Sequence, residues 1–120
     1  MKQEDFNEIF RTRTKKLALN IISVVSLMKY DDASNIIKKQ LIRSSTSVAA
    51  NFRAVCRGRS DRERFAKLCI VVEEADESVL WIEMLEEAGF LSAAKIHDIK
   101  KEMEEIVKVM AAFKKKLSGI

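Results

Sequence analysis

Apolar residues recur along the chain at steps of three and four, the period of a helix with one buried face, and no stretch alternates at the period of a strand. The first stripe runs through Phe6, Ile9, Phe10, Leu17, Ile21, Val24 and Met28 and predicts a helix over about 6–28. Tyr30-Asp31-Asp32 breaks it, with Asp32 or Ser34 able to cap the next helix. Ile37, Leu41, Val48, Phe52 and Val55 then predict a helix over about 33–57, which Gly58 ends. Ser60-Asp61-Arg62-Glu63 has the capping-box pattern, and Phe65, Leu68, Val72, Ala75, Val79, Ile82 and Leu85 carry a third helix over about 61–88. Gly89 and Ser92 separate it from a fourth over about 92–117, striped by Ile96, Ile99, Met103, Ile106, Met110 and Phe113. Short connections make neighbouring helices antiparallel, so the expected fold is an all-α, up-down-up-down four-helix bundle.

Composition narrows this to one domain spanning 1–120. A chain of 120 residues buries roughly two-thirds of its unfolded surface, enough for a core of its own. With 48% hydrophobic and 33% charged residues it is globular rather than disordered. The start lacks the order of a signal peptide, and the greasiest run, Leu17 to Met28, is too short and too interrupted to span a bilayer. Cys56 and Cys69 form no metal-type or redox-type pair. The expectation is a cytoplasmic protein with no membrane partner.

The distribution of charge adds more than its sum. From Lys38 to Lys67 nine basic residues face only Asp61 and Glu63, a local balance of +7. From Glu73 to Glu87 seven acids stand without one Lys or Arg, a balance of −7. The chain total is only +4. One surface therefore suits a polyanion and another suits a basic partner, including a second copy of the chain.

Polar residues also fall close to the apolar stripes. Arg43, Ser47 and Asn51 recur at steps of four on the second helix, and Glu73 and Glu77 do so on the third. Such spacing lets the two sets meet as a polar clasp or at an interface, with Arg43, Ser47 or Asn51 supplying donors to a buried Glu77. Trp81 either completes the core or belongs to an interface.

Catalysis finds no foothold in this pattern. A di-metal bundle needs Glu-x-x-His pairs, and the only histidine, His97, has Ala94 three residues before it. There is no phosphate-binding glycine loop, nucleophile elbow or zinc spacing, and the hydroxyl run Ser44 to Ser47 has no histidine nearby in sequence. The expectation is a protein without enzymatic activity, metal or cofactor.

The run Gln40-Leu41-Ile42-Arg43-Ser44-Ser45-Thr46-Ser47-Val48-Ala49-Ala50-Asn51-Phe52-Arg53 resembles the second-helix signature of a family of four-helix bundle proteins. Those proteins are encoded in intervening sequences of bacterial large-subunit ribosomal RNA genes. Phe65-Ala66-Lys67-Leu68 and Glu73-Glu74-Ala75-Asp76-Glu77-Ser78-Val79-Leu80-Trp81-Ile82-Glu83 resemble its third-helix signature, and the similarity extends over residues 6 to 117. Many members carry Asn-Ile-Ala-Glu-Gly after the asparagine. Here Phe52-Arg53-Ala54-Val55-Cys56-Arg57 stands instead, which marks a more basic variant.

The resemblance implies a homo-oligomer, in several members a pentameric ring. It also points to RNA or DNA and to a reverse transcriptase as partners, since a related protein accompanies the reverse transcriptase of diversity-generating retroelements. Carried over, Arg43, Arg53 and Arg57 contact a polyanion, and Glu73 and Glu77 serve packing or the subunit interface. Together with the charge pattern, the nucleic-acid candidates are Lys38, Lys39, Arg43, Arg53, Arg57, Arg59, Arg62 and Arg64, and the clasp or interface candidates are Ser47, Asn51, Glu73, Glu77 and Trp81. Interleaved aromatics are scarce, which favours contact with the backbone over reading of bases. The alternative is a scaffold whose basic and acidic faces pair between subunits, with no role in nucleic-acid binding.

Overall fold

Three polar side chains start three of the helices. Asp31 accepts from the Ser34 amide at 3.0 Å, Ser60 from the Glu63 amide at 3.1 Å and Ser92 from the Lys95 amide at 3.4 Å. Each satisfies a donor that a first turn leaves without an intrahelical partner. In the computed structural model, which describes residues 1–119, the helices are α1 (Gln3–Ser26), α2 (Asp32–Cys56), α3 (Asp61–Glu87) and α4 (Ala93–Leu117). Ile120, the last residue of the expected domain, lies outside the described residues.

The expected bundle is present, with small shifts at its ends. Helix α1 begins at Gln3 rather than near residue 6, because Glu4 and Asp5 suit the positive end of a helix dipole. The cap of α2 is Asp31 rather than Asp32 or Ser34, and the buried Ser34 hydroxyl donates back to the Asp31 carbonyl at 3.2 Å. Gly89, at φ +82°, closes α3 in a Schellman arrangement: Phe90 N–H reaches Leu85 O at 2.9 Å and Gly89 N–H reaches Glu86 O at 3.0 Å. Gly58 serves differently. It is buried, and a Cβ there would collide with Arg64 Cγ and crowd the Val55 carbonyl.

The helices form a square, α1 beside α2 and α4, and α3 beside the same two. The α2–α3 pair is the most closely packed and the α1–α4 pair the least. Small side chains explain the first: Ser44 on α2 meets Ser78 on α3, both buried, and the small pair lets the backbones approach. The Ser44 and Ser78 hydroxyls meet at 2.7 Å, and Ser78 also donates to the Glu74 carbonyl at 2.8 Å. The looser α1–α4 seam is held by Arg13, whose Nε and Nη2 donate to the Glu102 carboxylate at 2.9 and 2.6 Å.

Ile21, Val25, Leu41, Phe52, Leu68, Ile82, Leu85, Ile106 and Met110 are completely enclosed. Ile9, by contrast, is exposed, one turn-step off the buried line through Phe10, Leu17 and Ile21. On α3 the buried line includes Val71 and Ser78, while Val72 and Val79 of the expected stripe are half-buried. That helix touches two neighbours, so its apolar surface is wider than one seam and the centre of the bundle takes a line one step away. Among the described residues every buried side-chain nitrogen and oxygen has a hydrogen-bond partner, as a closed core requires. The bundle measures 44 × 22 × 22 Å.

Candidate nucleic-acid interface

Up-down topology decides which charges share a neighbourhood. The end of the bundle that holds the α2–α3 turn also holds the start of α1 and the end of α4. Arg53, Arg57, Arg59, Arg62 and Arg64 therefore lie at the same end as Lys114, Lys115 and Lys116. Arg11 joins them from α1. Burial pushes the Cys56 thiol pKa up, while Arg11 and Arg57, both near its sulfur, act in the opposite direction.

The eight basic candidates separate into three groups. Lys38 and Lys39 sit in the first third of α2, about 20 Å along the helix from Arg53 at 1.5 Å per residue, and so belong to the other end of the molecule. Arg43 is already engaged: Nη1 donates to Glu74 Oε2 at 3.0 Å and Nη2 to Glu77 Oε1. The remaining five cluster at the α2–α3 turn. There Arg64 donates to Asp61 at 3.0 Å and to the Gly58 carbonyl at 2.7 Å, bracing the turn. Arg59 has only a loose ion pair with Glu63 at 3.6 Å and is 89% exposed. Arg53, Arg57 and Arg62 pair with no acid among the described residues. All three are exposed.

Helix dipoles account for part of this gathering. Arg53 and Arg57 at the end of α2, and the three lysines at the end of α4, sit where a helix favours cations. Arg62 does not. It lies in the first turn of α3, where the dipole disfavours positive charge and only Asp61 and Glu63 offset it. A cation placed against its own helix calls for a reason outside that helix.

The polar clasp is built from different partners than the spacing suggested. Glu77 receives Arg43 and also the Trp81 indole N–H, at 3.1 Å. Glu74, rather than Glu73, receives Arg43 from α2. Asn51 does not reach α3 at all, since its amide donates to Ser47 Oγ and to the Ser47 carbonyl within α2, at 2.9 and 3.0 Å. Trp81 is half-buried, packed on the core with its ring nitrogen turned to the clasp. Because Arg43 is 48% exposed, Arg43→Ala is expected to lower stability by no more than about 1 kcal/mol. Urea denaturation checks this, and a loss above about 2 kcal/mol would mean that the clasp holds α2 against α3.

Basic residues beyond the candidate run were legible only as a charged tail. Lys114 to Lys116 are far from Arg53 in sequence, and the fold alone joins them. Among the described residues, no three His, Cys, Asp or Glu side chains gather as metal ligands, and no helix is long and apolar enough to cross a membrane.

Fold and site together define an antiparallel four-helix bundle with an axial separation of charge. The chain matches the family described as 23S rRNA-intervening sequence protein over residues 7–112, and it belongs to that family. It is also similar to a crystal structure, at 1.70 Å, of a protein of unknown function from the S23 ribosomal protein family of Bacteroides thetaiotaomicron. That likeness has a TM-score of 0.82 at 24% identity and covers 91% of this chain and 97% of the other, which establishes a shared fold. No curated protein matches the chain.

Proposed function

We propose that this protein is a non-catalytic, homo-oligomeric accessory module that binds RNA or DNA through the basic end of its bundle. The observation that carries the reading is the convergence of Arg53, Arg57 and Arg62, which have no acidic partners among the described residues, with Lys114 to Lys116 at one end. These side chains would displace the cations condensed on the phosphates, so binding is steeply salt-dependent and depends little on sequence. A pentamer, and a reverse transcriptase as a protein partner, are what the family resemblance adds. Several copies engaging one strand would multiply a weak single patch.

A scaffold role has its own support. Ile36 on α2 and Leu80 and Met84 on α3 are exposed, at 65%, 48% and 40%, and the register set by Ser44 and Ser78 brings Ile36 about level with Met84. Glu73, Glu83 and Glu87 lie on the same helix as Leu80 and Met84, a setting that suits the basic end of a neighbour.

Light scattering behind size exclusion, with and without a short RNA or DNA, at about 50 and 500 mM salt, separates the two. An oligomer that retains nucleic acid only at the lower salt is the expected result. An oligomer that ignores nucleic acid at both leaves the scaffold, and a monomer removes the avidity on which the first reading depends.

A further inference from the structure

Four of the six phenylalanines, Phe6, Phe10, Phe52 and Phe113, converge at the basic end, and Phe6 and Phe113 leave part of their rings at the surface there. Phe6 and Phe113 meet across the loose α1–α4 seam, edge to face, with ring centroids 5.1 Å apart and planes at 75°. Phe10 and Phe52, with centroids 4.7 and 6.3 Å from that of Phe6, fix its ring from behind. Beside this pair a cavity of about 390 Å³ opens to solvent, lined by Met1, Phe6, Val109, Ala112 and Phe113 and edged with polar groups from Gln3 and Lys116. Both rings are only half-buried.

The chemistry of this cavity is specific in combination. Its walls offer two half-buried aromatic rings and aliphatic carbon, which attract a flat, weakly polar ring. The Gln3 amide nitrogen is engaged with Asn7 at 2.7 Å, which leaves the Gln3 carbonyl oxygen to accept from an exocyclic amine. Lys116 carries a positive charge at the rim, and Lys115 precedes it on the same helix end. A ring with apolar faces, hydrogen-bonding edges and an anion attached is a nucleotide in a single strand.

We infer that this cavity takes one unpaired nucleobase, stacked on the Phe6–Phe113 pair, with Lys116 on the adjoining phosphate. This deepens the nucleic-acid reading above and rests on it. The basic end then senses strandedness as well as charge, because a paired base in a duplex cannot leave its stack without cost.

The test measures the affinity of the intact protein for three fluorescent probes at about 50 mM salt: a strand of about 12 nucleotides, the same strand with abasic units, and a duplex. The natural strand is expected to bind roughly tenfold more tightly than the abasic one, the scale of one stacked base. Phe113→Leu keeps apolar volume but removes the ring. It is expected to bring the two strands to parity at the affinity of the abasic probe, with a melting temperature lower by a few degrees because the edge-to-face contact with Phe6 is lost. Parity in the unaltered protein overturns the inference and leaves backbone binding standing, since both strands carry the same phosphates. Failure of all three probes to bind overturns the nucleic-acid reading and this inference with it. Should Phe113→Leu unfold, the comparison of natural and abasic strands on the unaltered protein decides alone.

Discussion

Phe52→Ala is expected to cost about 3–5 kcal/mol of folding stability, far more than any surface substitution in the bundle. The ring is completely enclosed and stands at the junction of α1, α2 and the aromatic cluster that includes Phe6. Truncation removes its transfer free energy and leaves a void that the surrounding core, already close-packed, cannot fill. A domain of this size has only about 5–15 kcal/mol to lose, so the variant sits at the edge of folding. Chemical denaturation followed by circular dichroism measures it. A loss under about 1 kcal/mol would mean that the bundle does not close around Phe52.

The second large effect is on binding. Arg53→Glu with Arg57→Glu reverses two unpaired, exposed charges at the end of α2. Affinity for a short duplex or strand should fall by at least about tenfold at low salt, and the salt dependence should become shallower by about two in log–log slope. Some stability is lost too, about 0.3–1 kcal/mol per site, because both side chains sit near the negative end of the helix dipole. The matched control, Lys38→Glu with Lys39→Glu, changes the net charge equally at the other end of the bundle and should weaken binding far less. Size exclusion completes the comparison. If the arginine variant dissolves the oligomer, those side chains serve assembly and the scaffold reading replaces the first.

The four helices were legible because proline is absent, three glycines fall at or near helix ends, and Ser60 and Ser92 stand one residue before the helices they cap. Same-face spacing allows Arg43 and Glu77 to meet, and the two side chains are in contact. It could not choose between Glu73 and Glu74, because one residue is a 100° turn and the choice depends on how α3 rotates against α2. Ser47 and Asn51 illustrate another limit: at four residues apart they satisfy each other within a helix, and nothing in their spacing distinguishes that from a bond across it. The charge run is continuous in sequence, yet the fold splits it. Lys38 and Lys39 go to one end, Arg43 goes to its ion pairs, and the rest meets a lysine tail from the far end of the chain. Phe6 and Phe113 share no sequence window, so the cavity they flank had no signal until α1 and α4 were side by side.

The gathering of cations at one end of each bundle makes the molecule polar in the geometric sense, with a head and a tail. Rotation about a cyclic axis preserves the component of any direction along that axis, so every copy in a closed ring keeps its head in an equivalent place. In a cyclic assembly whose bundles stand along the axis, all the heads therefore lie on one face, whereas bundles laid tangentially set each head against the tail of a neighbour. A dihedral assembly would divide them between two opposed halves. The type of symmetry and the tilt of the bundles within it thus decide whether the charge forms one continuous collar, two opposed ones or a dispersed pattern.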